Sequence, residues 1–261
     1  MTPRKPLHIF LAVIKALFLR ELNMRMSVGR SGLFWTFFEP FAQVSVFILI
    51  RIAIMGYNGK ASSYNFAVFM AVGFIAFNMF KHILSASTGA FRANRGLFAY
   101  KQVKPIDKII ARTIVEMFIT GIIIILFLFI GFLLQYDIKP ENLIMVAAGY
   151  LWLALFSFSV GLVVAIGNTF YISIGKFVGI FSFMLLIFSA VFFPIESIPP
   201  AAQKVLLYNP LTHFMEMIHA NYIYALSDRY VDYIYMLEWT ITPLFIGMWL
   251  YVRLEKRIIS E

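Results

Sequence analysis

Long apolar runs alternate with short polar gaps along this chain, and each run is continuous rather than alternating residue by residue. They lie near 33–50, 66–84, 117–134, 143–170, 177–193 and 239–252. Crossing a bilayer core takes about 20 residues of helix, and most of these runs come close to or exceed that length. Hydrocarbon gives backbone N–H and C=O groups no partner, so a crossing segment is a helix or part of a closed barrel. Continuous runs select helices. The pattern therefore predicts an all-α integral membrane protein with six transmembrane helices over 33–255, an N-terminal segment 1–32 and a tail 256–261.

The gaps are of two kinds. Of the 22 Lys and Arg, 16 fall before the first run, between the second and third, between the fourth and fifth, or after the sixth. The other gaps hold only Lys60, Lys139, Lys204 and Arg229, while Arg51 closes the first run and Lys81 lies inside the second. By the positive-inside rule both termini are cytoplasmic. A chain of 261 residues that is 61% hydrophobic carries more apolar surface than one soluble core can hide. The net charge of +9 is accounted for by sidedness and an anionic inner leaflet, so it does not point to nucleic acid. With no cysteine there is no disulfide, thiol nucleophile or thiolate metal ligand.

Before the first run, Leu7, Leu11, Ile14, Phe18 and Leu22 recur at helical spacing with Lys15, Arg20, Glu21 and Arg25 among them. This predicts an amphipathic helix over 6–26 lying at the interface. Lys15 interrupts the apolar stretch that a signal peptide would need. The first run carries Glu39-Pro40, Arg51 can snorkel outward, and Lys81 and His82 sit near the inner end of the second. The densest basic gap, 91–107, reads FRANRGLFAYKQVKPID, with Pro105 suited to a first helical turn. Arg112 and Glu116 are spaced to pair along that helix. Ser157, Gly161 and Ala165 form a small-residue stripe for close helix packing, a spacing repeated by Gly175 and Gly179.

The segment 194–237 is too apolar for an ordinary loop and is expected to re-enter the membrane from outside. Pro199-Pro200 opens a short helix through Leu207, and Asn209-Pro210 reads as an N-cap and first-turn proline for a second. Leu211, Phe214, Met215, Ile218 and Tyr222 share a face of that second helix. His213 and His219, six apart, do not make a metal pair, and Glu216 adds little. No phosphate-cradling G-x-x-x-x-G-K-[ST], no H-E-x-x-H, no G-x-S-x-G and no cluster of intramembrane acids occurs. Energy must come from a partner, and the chain is expected to be non-catalytic.

Several stretches resemble the membrane subunits of type-2 ABC exporters of polysaccharide. ALFLRE at 16–21, then Arg25, Gly32, Trp35 and Glu39-Pro40, look like the opening of such subunits. NRGLFAY at 94–100 followed by VKPIDKIIAR at 103–112 is similar, more narrowly, to the capsular polysaccharide permeases. Ser197 to Pro200, Tyr208-Asn209-Pro210-Leu211 and His213 are similar to their periplasmic segment. The departure is 24–30, MRMSVGR, where the family is usually more basic.

The resemblance implies the ABC exporter type-2 fold in a bacterial inner membrane, and a homodimer joined to two copies of a separate ATPase, which holds the ATP and Mg while this chain holds no cofactor. It also implies export of a lipid-linked capsular polysaccharide and further contacts with envelope export proteins. The coupling element maps to 91–104, through Arg92, Asn94, Arg95, Leu97, Phe98, Tyr100 and Lys101. For the lipid phosphate the candidates are Arg20, Arg25, Arg30, Lys81 and Arg92. For sugars sliding on aromatic faces they are Phe34, Trp35, Phe37, Phe38 and Glu39 in the first run, with Phe181, Phe183 and Phe188 in the fifth. Export of O-antigen, teichoic acid or a small molecule fits the same architecture. A membrane enzyme acting on lipid-linked sugars lacks an acid–base pair.

Overall fold

The computed structural model describes residues 6–27, 30–55, 64–98, 102–135 and 138–260. They form nine α-helices: α1 (Pro6–Ser27), α2 (Arg30–Met55), α3 (Phe66–Thr88), α4 (Pro105–Leu133), α5 (Leu143–Phe170), α6 (Ser173–Phe188), α7 (Pro200–Leu206), α8 (Pro210–Tyr222) and α9 (Tyr233–Ser260). A short 3-10 turn, Arg92–Leu97, leads towards α4. Among the described residues three helices, α3, α4 and α5, are by length and composition apolar enough to cross a membrane.

Local chemistry sets most helix starts. The Asn65 side chain accepts from the N–H groups of Ala67 and Val68, and Asn142 from that of Met145. At α4, Pro105 occupies the first turn and the Asp107 carboxylate accepts the Lys104 N–H at 2.9 Å. Asn209 caps α8 ahead of Pro210, as expected. The sixth run proves much longer than 239–252, because Asp232 caps α9 by accepting from the N–H groups of Ile234 and Tyr235. The fifth run, expected over 177–193, is displaced towards the N-terminus, since its helix begins at Ser173. The α6 helix stops at Phe188, whose carbonyl is taken by Asn209 Nδ2 and Thr212 Oγ1, leaving 16 residues, about 24 Å of helix.

The core is built around α3, which contacts α2, α4, α5, α6 and α8. Phe80 stacks on Phe156 of α5, and Phe156 stacks on Phe214 of α8 at 4.9 Å. The small-residue stripe works inside this bundle: a Cβ on Gly161 would lie 2.7 Å from Ser87 Oγ of α3. Gly247 of α9 likewise meets Leu162 of α5, and Trp152 Nε1 donates to Thr240 Oγ1 across the same pair. In contrast, Ser182 is the one buried residue of α6, whose aromatics face outward.

The helix ends gather at two poles. At one, Arg112 donates to the Ala86 carbonyl, Asn168 Nδ2 to the Thr88 carbonyl and Arg92 to the Thr169 carbonyl. This is the basic pole. At the other, Tyr222 Oη donates to the Ile138 carbonyl, the Asn142 N–H to the Asn221 carbonyl, and the Ile195 N–H to the buried Glu216 carboxylate. His213 is fixed there too, accepting from the Asp232 N–H and donating to the Leu207 carbonyl.

Candidate functional site

At the basic pole α1 lies against α4 and α2, with Ile14 and Leu17 buried and Phe18 edge-on to Phe118 at 5.7 Å. Two ionic rungs fasten it. In the first, Glu21 accepts from Lys108 Nζ and from Arg112 Nε at 2.9 Å, and Lys108 is fully buried. Burial opposes the charge on Glu21, but Lys108 and Arg112 together outweigh it and hold the carboxyl below its usual range. In the second, Arg25 donates from both terminal nitrogens to the buried Glu116 carboxylate.

The expected pairing of Arg112 with Glu116 along α4 is thus corrected. Each reaches across to α1 instead, because a buried charge left without an interhelical partner costs several kcal/mol, whereas an exposed i,i+4 pair returns only about 0.5 kcal/mol.

Deeper in, Glu39 of α2 accepts from Lys81 Nζ at 2.7 Å and Gln43 Nε2 at 3.4 Å, and Gln43 accepts from Asn78. His82 stands between the two acids, with Nε2 3.5 Å from Glu39 Oε2 and Nδ1 3.8 Å from Glu116 Oε2. Arg25, Trp35, Glu39, His82, Ser85 and Glu116 line an open cleft of about 320 Å³. Further along α2, α3 and α4, Pro40, Val44, Ala71, Ile123 and Phe127 line an apolar groove.

This network escaped the sequence reading, which treated Lys81 and His82 as edge residues. The signal was present in Asn78, Lys81, His82 and Ser85, a polar stripe on one face of an otherwise apolar helix, matched by Glu39 and Gln43 one turn apart on α2. Among the described residues no group of three or more His, Asp or Glu is placed to hold a metal ion.

The loop before α4 is pinned by Arg92, whose Nη2 donates to the Thr169 carbonyl at 2.7 Å, at the end of α5 where carbonyl dipoles favour a cation. Phe98 was expected to face a partner, and is instead buried with Phe91, Ile109, Leu162 and Tyr251. Its ring closes the bundle below the loop, where an exposed phenyl group would forfeit about 2 kcal/mol of burial. Leu97 is half-buried and, with Gln102 and Val103, forms one side of a groove whose other side is Ile9, Val13, Leu17 and Arg20 of α1. The side chains of Asn94, Arg95 and Arg30, and all of Tyr100 and Lys101, lie outside the described residues.

Of the other candidates, Phe34, Trp35 and Phe38 are brought together on the exposed face of α2, with Phe34 stacked on Phe38 at 5.0 Å and Trp35 edge-on to Phe38 at 5.7 Å. Phe37 faces the bundle. Phe181, Phe183 and Phe188 are exposed on α6. Among the phosphate candidates, Arg25, Lys81 and Arg92 are engaged internally and Arg20 is exposed.

The sequence profile of ABC-2 type transporters matches residues 12–223, most of the chain. The chain belongs to the ABC-2 type transporter family. It is therefore a transporter membrane subunit rather than a catalyst. It is 34% identical over 251 residues to the polysialic acid transport protein KpsM of Escherichia coli, an alignment covering 95% of each chain. It is 29% identical over 222 residues to the capsule polysaccharide export inner-membrane protein BexB of Haemophilus influenzae, covering 85% of this chain and 82% of that one. With the capsule polysaccharide export inner-membrane protein CtrC of Neisseria meningitidis serogroup A the identity is 26% over 246 residues, covering 94% and 92%. Membership of this family fits the apolar helices, and the chain is a multi-pass inner-membrane protein.

Proposed function

We propose that this chain is the membrane subunit of an ATP-driven exporter of lipid-linked capsular polysaccharide. The observation that carries the reading is end-to-end similarity to relatives named for exporting capsule polymers, in a family whose membrane subunits pair with an ATPase. In this reading α2, α3, α4, α5, α6 and α9 make six crossings, and the basic pole and both termini are cytoplasmic. The helices α7 and α8 dip back from the periplasmic side. Two copies of the chain assemble with two ATPases, which hold ATP and Mg, and envelope export proteins continue the path outward.

The groove between α1 and the Leu97–Val103 side is the natural seat for the motor, because α1 is fastened by ions to the start of α4, and force at the groove reaches the polar network directly. The exposed aromatics of α2 and α6 supply faces for sugar C–H groups. The test is reconstitution in proteoliposomes with the partner ATPase and a lipid-linked capsular glycan. ATP-dependent movement of the glycan supports the reading, whereas movement of O-antigen or a teichoic acid polymer in its place assigns a different cargo.

A further inference from the structure

Polar side chains buried in a helix bundle ordinarily satisfy one another and close over, because unpaired polar groups in a low-dielectric interior are costly. The group at the basic pole satisfies its charges but stays open. Arg25, Trp35, Glu39, His82 and Glu116 line the 320 Å³ cleft, Trp35 one turn before Glu39 on α2, and the exposed Ser85 lines it from α3. Ser85 and His82 lie three and six residues before the end of α3 at Thr88, so the cleft sits within about 9 Å of that helix end.

Charge narrows what the cleft can hold. Arg25 is neutralised by Glu116 and Lys81 by Glu39, so the lining is balanced. A phosphate would have to displace an internal carboxylate and leave it unpaired. Hydroxyl groups, which donate and accept without net charge, can join the network as it stands. There is capacity for them. Glu116 Oε2 receives Arg25 Nη1 only at 3.3 Å, and the His82 nitrogens stand 3.5 and 3.8 Å from Glu39 Oε2 and Glu116 Oε2, at or beyond the limit of a useful hydrogen bond.

Trp35, beside Glu39 on the same face of α2, has the complementary character. The Trp35 ring is 59% exposed and is braced edge-on against Phe34 and Phe38, a rigid apolar plate beside a rim of acceptors. A pyranose ring is the common small chemical shape with one apolar C–H face and an edge of hydroxyl groups. The volume equals roughly ten liquid waters, which suits one ring rather than a chain.

We propose that this cleft is a saccharide subsite that takes a single pyranose ring, its C–H face on Trp35 and its hydroxyls on Glu39, His82 and Glu116. The inference rests on the export reading and deepens it by giving one sugar unit of the cargo a defined seat at the basic pole.

Saturation-transfer NMR on the full-length chain in phosphatidylcholine nanodiscs tests it, with maltotriose as a neutral probe and an α2,8-linked trisialic acid as an acidic one. Both are expected to bind at one site, with affinity changing less than about twofold between low and physiological salt, since no net charge is recognised. Trp35→Leu should weaken binding about tenfold while Trp35→Phe keeps most of it. Ser85→Phe, at an exposed position, should fill the cleft and abolish binding without lowering thermal stability. Unchanged binding in Trp35→Leu and Ser85→Phe, no saccharide binding to the wild type, or saturable binding of inorganic phosphate instead would each overturn the assignment. Export by cells carrying the same variants separates the two readings. Wild-type export with unaltered binding in the variants removes the subsite alone, while saccharide binding at the cleft without polysaccharide export by the wild type removes the export reading alone.

Discussion

Arg25 of α1 and Glu116 of α4, 91 residues apart in sequence, join in an ion pair whose carboxylate is almost wholly buried. The arginine both fastens the N-terminal helix and lines the polar cleft. Whatever moves α1 therefore changes the charge that faces the cleft.

Removing one partner strands the other. Arg25→Met should destabilise the folded chain by about 3 kcal/mol, because Glu116 stays buried without its counter-ion, whereas Arg25→Met combined with Glu116→Leu should recover most of that loss. Thermal unfolding of the single and double variants in detergent measures both. Equal destabilisation in the double variant would mean that the pair is not the source.

Acid should loosen α1. The Glu21 carboxyl is held below its unfolded value of 4.5, so its contribution to stability is present above that pH and is lost as pH falls through the depressed folded value. The chain has no cysteine, so Ile14→Cys on the buried face of α1 gives an unambiguous probe. Its thiol should become accessible to a pH-tolerant disulfide reagent only below pH 4.5, and this added acid step should be missing in a Glu21→Gln background.

Arg92 holds the loop to the end of α5 by two donations to a single carbonyl. Arg92→Ala should leave the bundle folded but lower glycan export per ATP hydrolysed by roughly tenfold, the equivalent of one charge-assisted hydrogen bond of about 1.4 kcal/mol. Parallel measurement of hydrolysis and export in proteoliposomes distinguishes this from a plain loss of activity. A proportional fall in both would count against a coupling role.

Close approach at Gly161 makes a packing prediction. A methyl group there meets Ser87 Oγ at 2.7 Å, so Gly161→Ala should cost about 1–3 kcal/mol, and Ser87→Gly should restore part of it. The same detergent melts check the pair.

What could be read from the chain was mainly local. Pro105, Asn209 with Pro210, and Pro200 start helices where expected, because a cap or a first-turn proline acts on its own three or four residues. Asp232 carried the same kind of signal for α9 and was overlooked in favour of the apolar run that follows it. Tertiary choices were not legible. Arg112 and Glu116 have the spacing of an along-helix pair, and only the position of α1 shows that each belongs to a different rung. The end of α6 at Phe188 depends on donors from Asn209 and Thr212, more than 20 residues on. Phe98 reads as an aromatic among charges, and its burial depends on α4, α5 and α9 closing over it.

Drive by an ATPase requires the basic pole to face the cytoplasm, where the motor must reach it. Single cysteines at Ala93, exposed beside the loop turn, and at Tyr224, exposed at the far pole, can be labelled with a membrane-impermeant maleimide in spheroplasts and in inverted vesicles. Tyr224→Cys is expected to react in spheroplasts and Ala93→Cys only in inverted vesicles. Labelling of Ala93→Cys from outside intact spheroplasts would contradict this orientation.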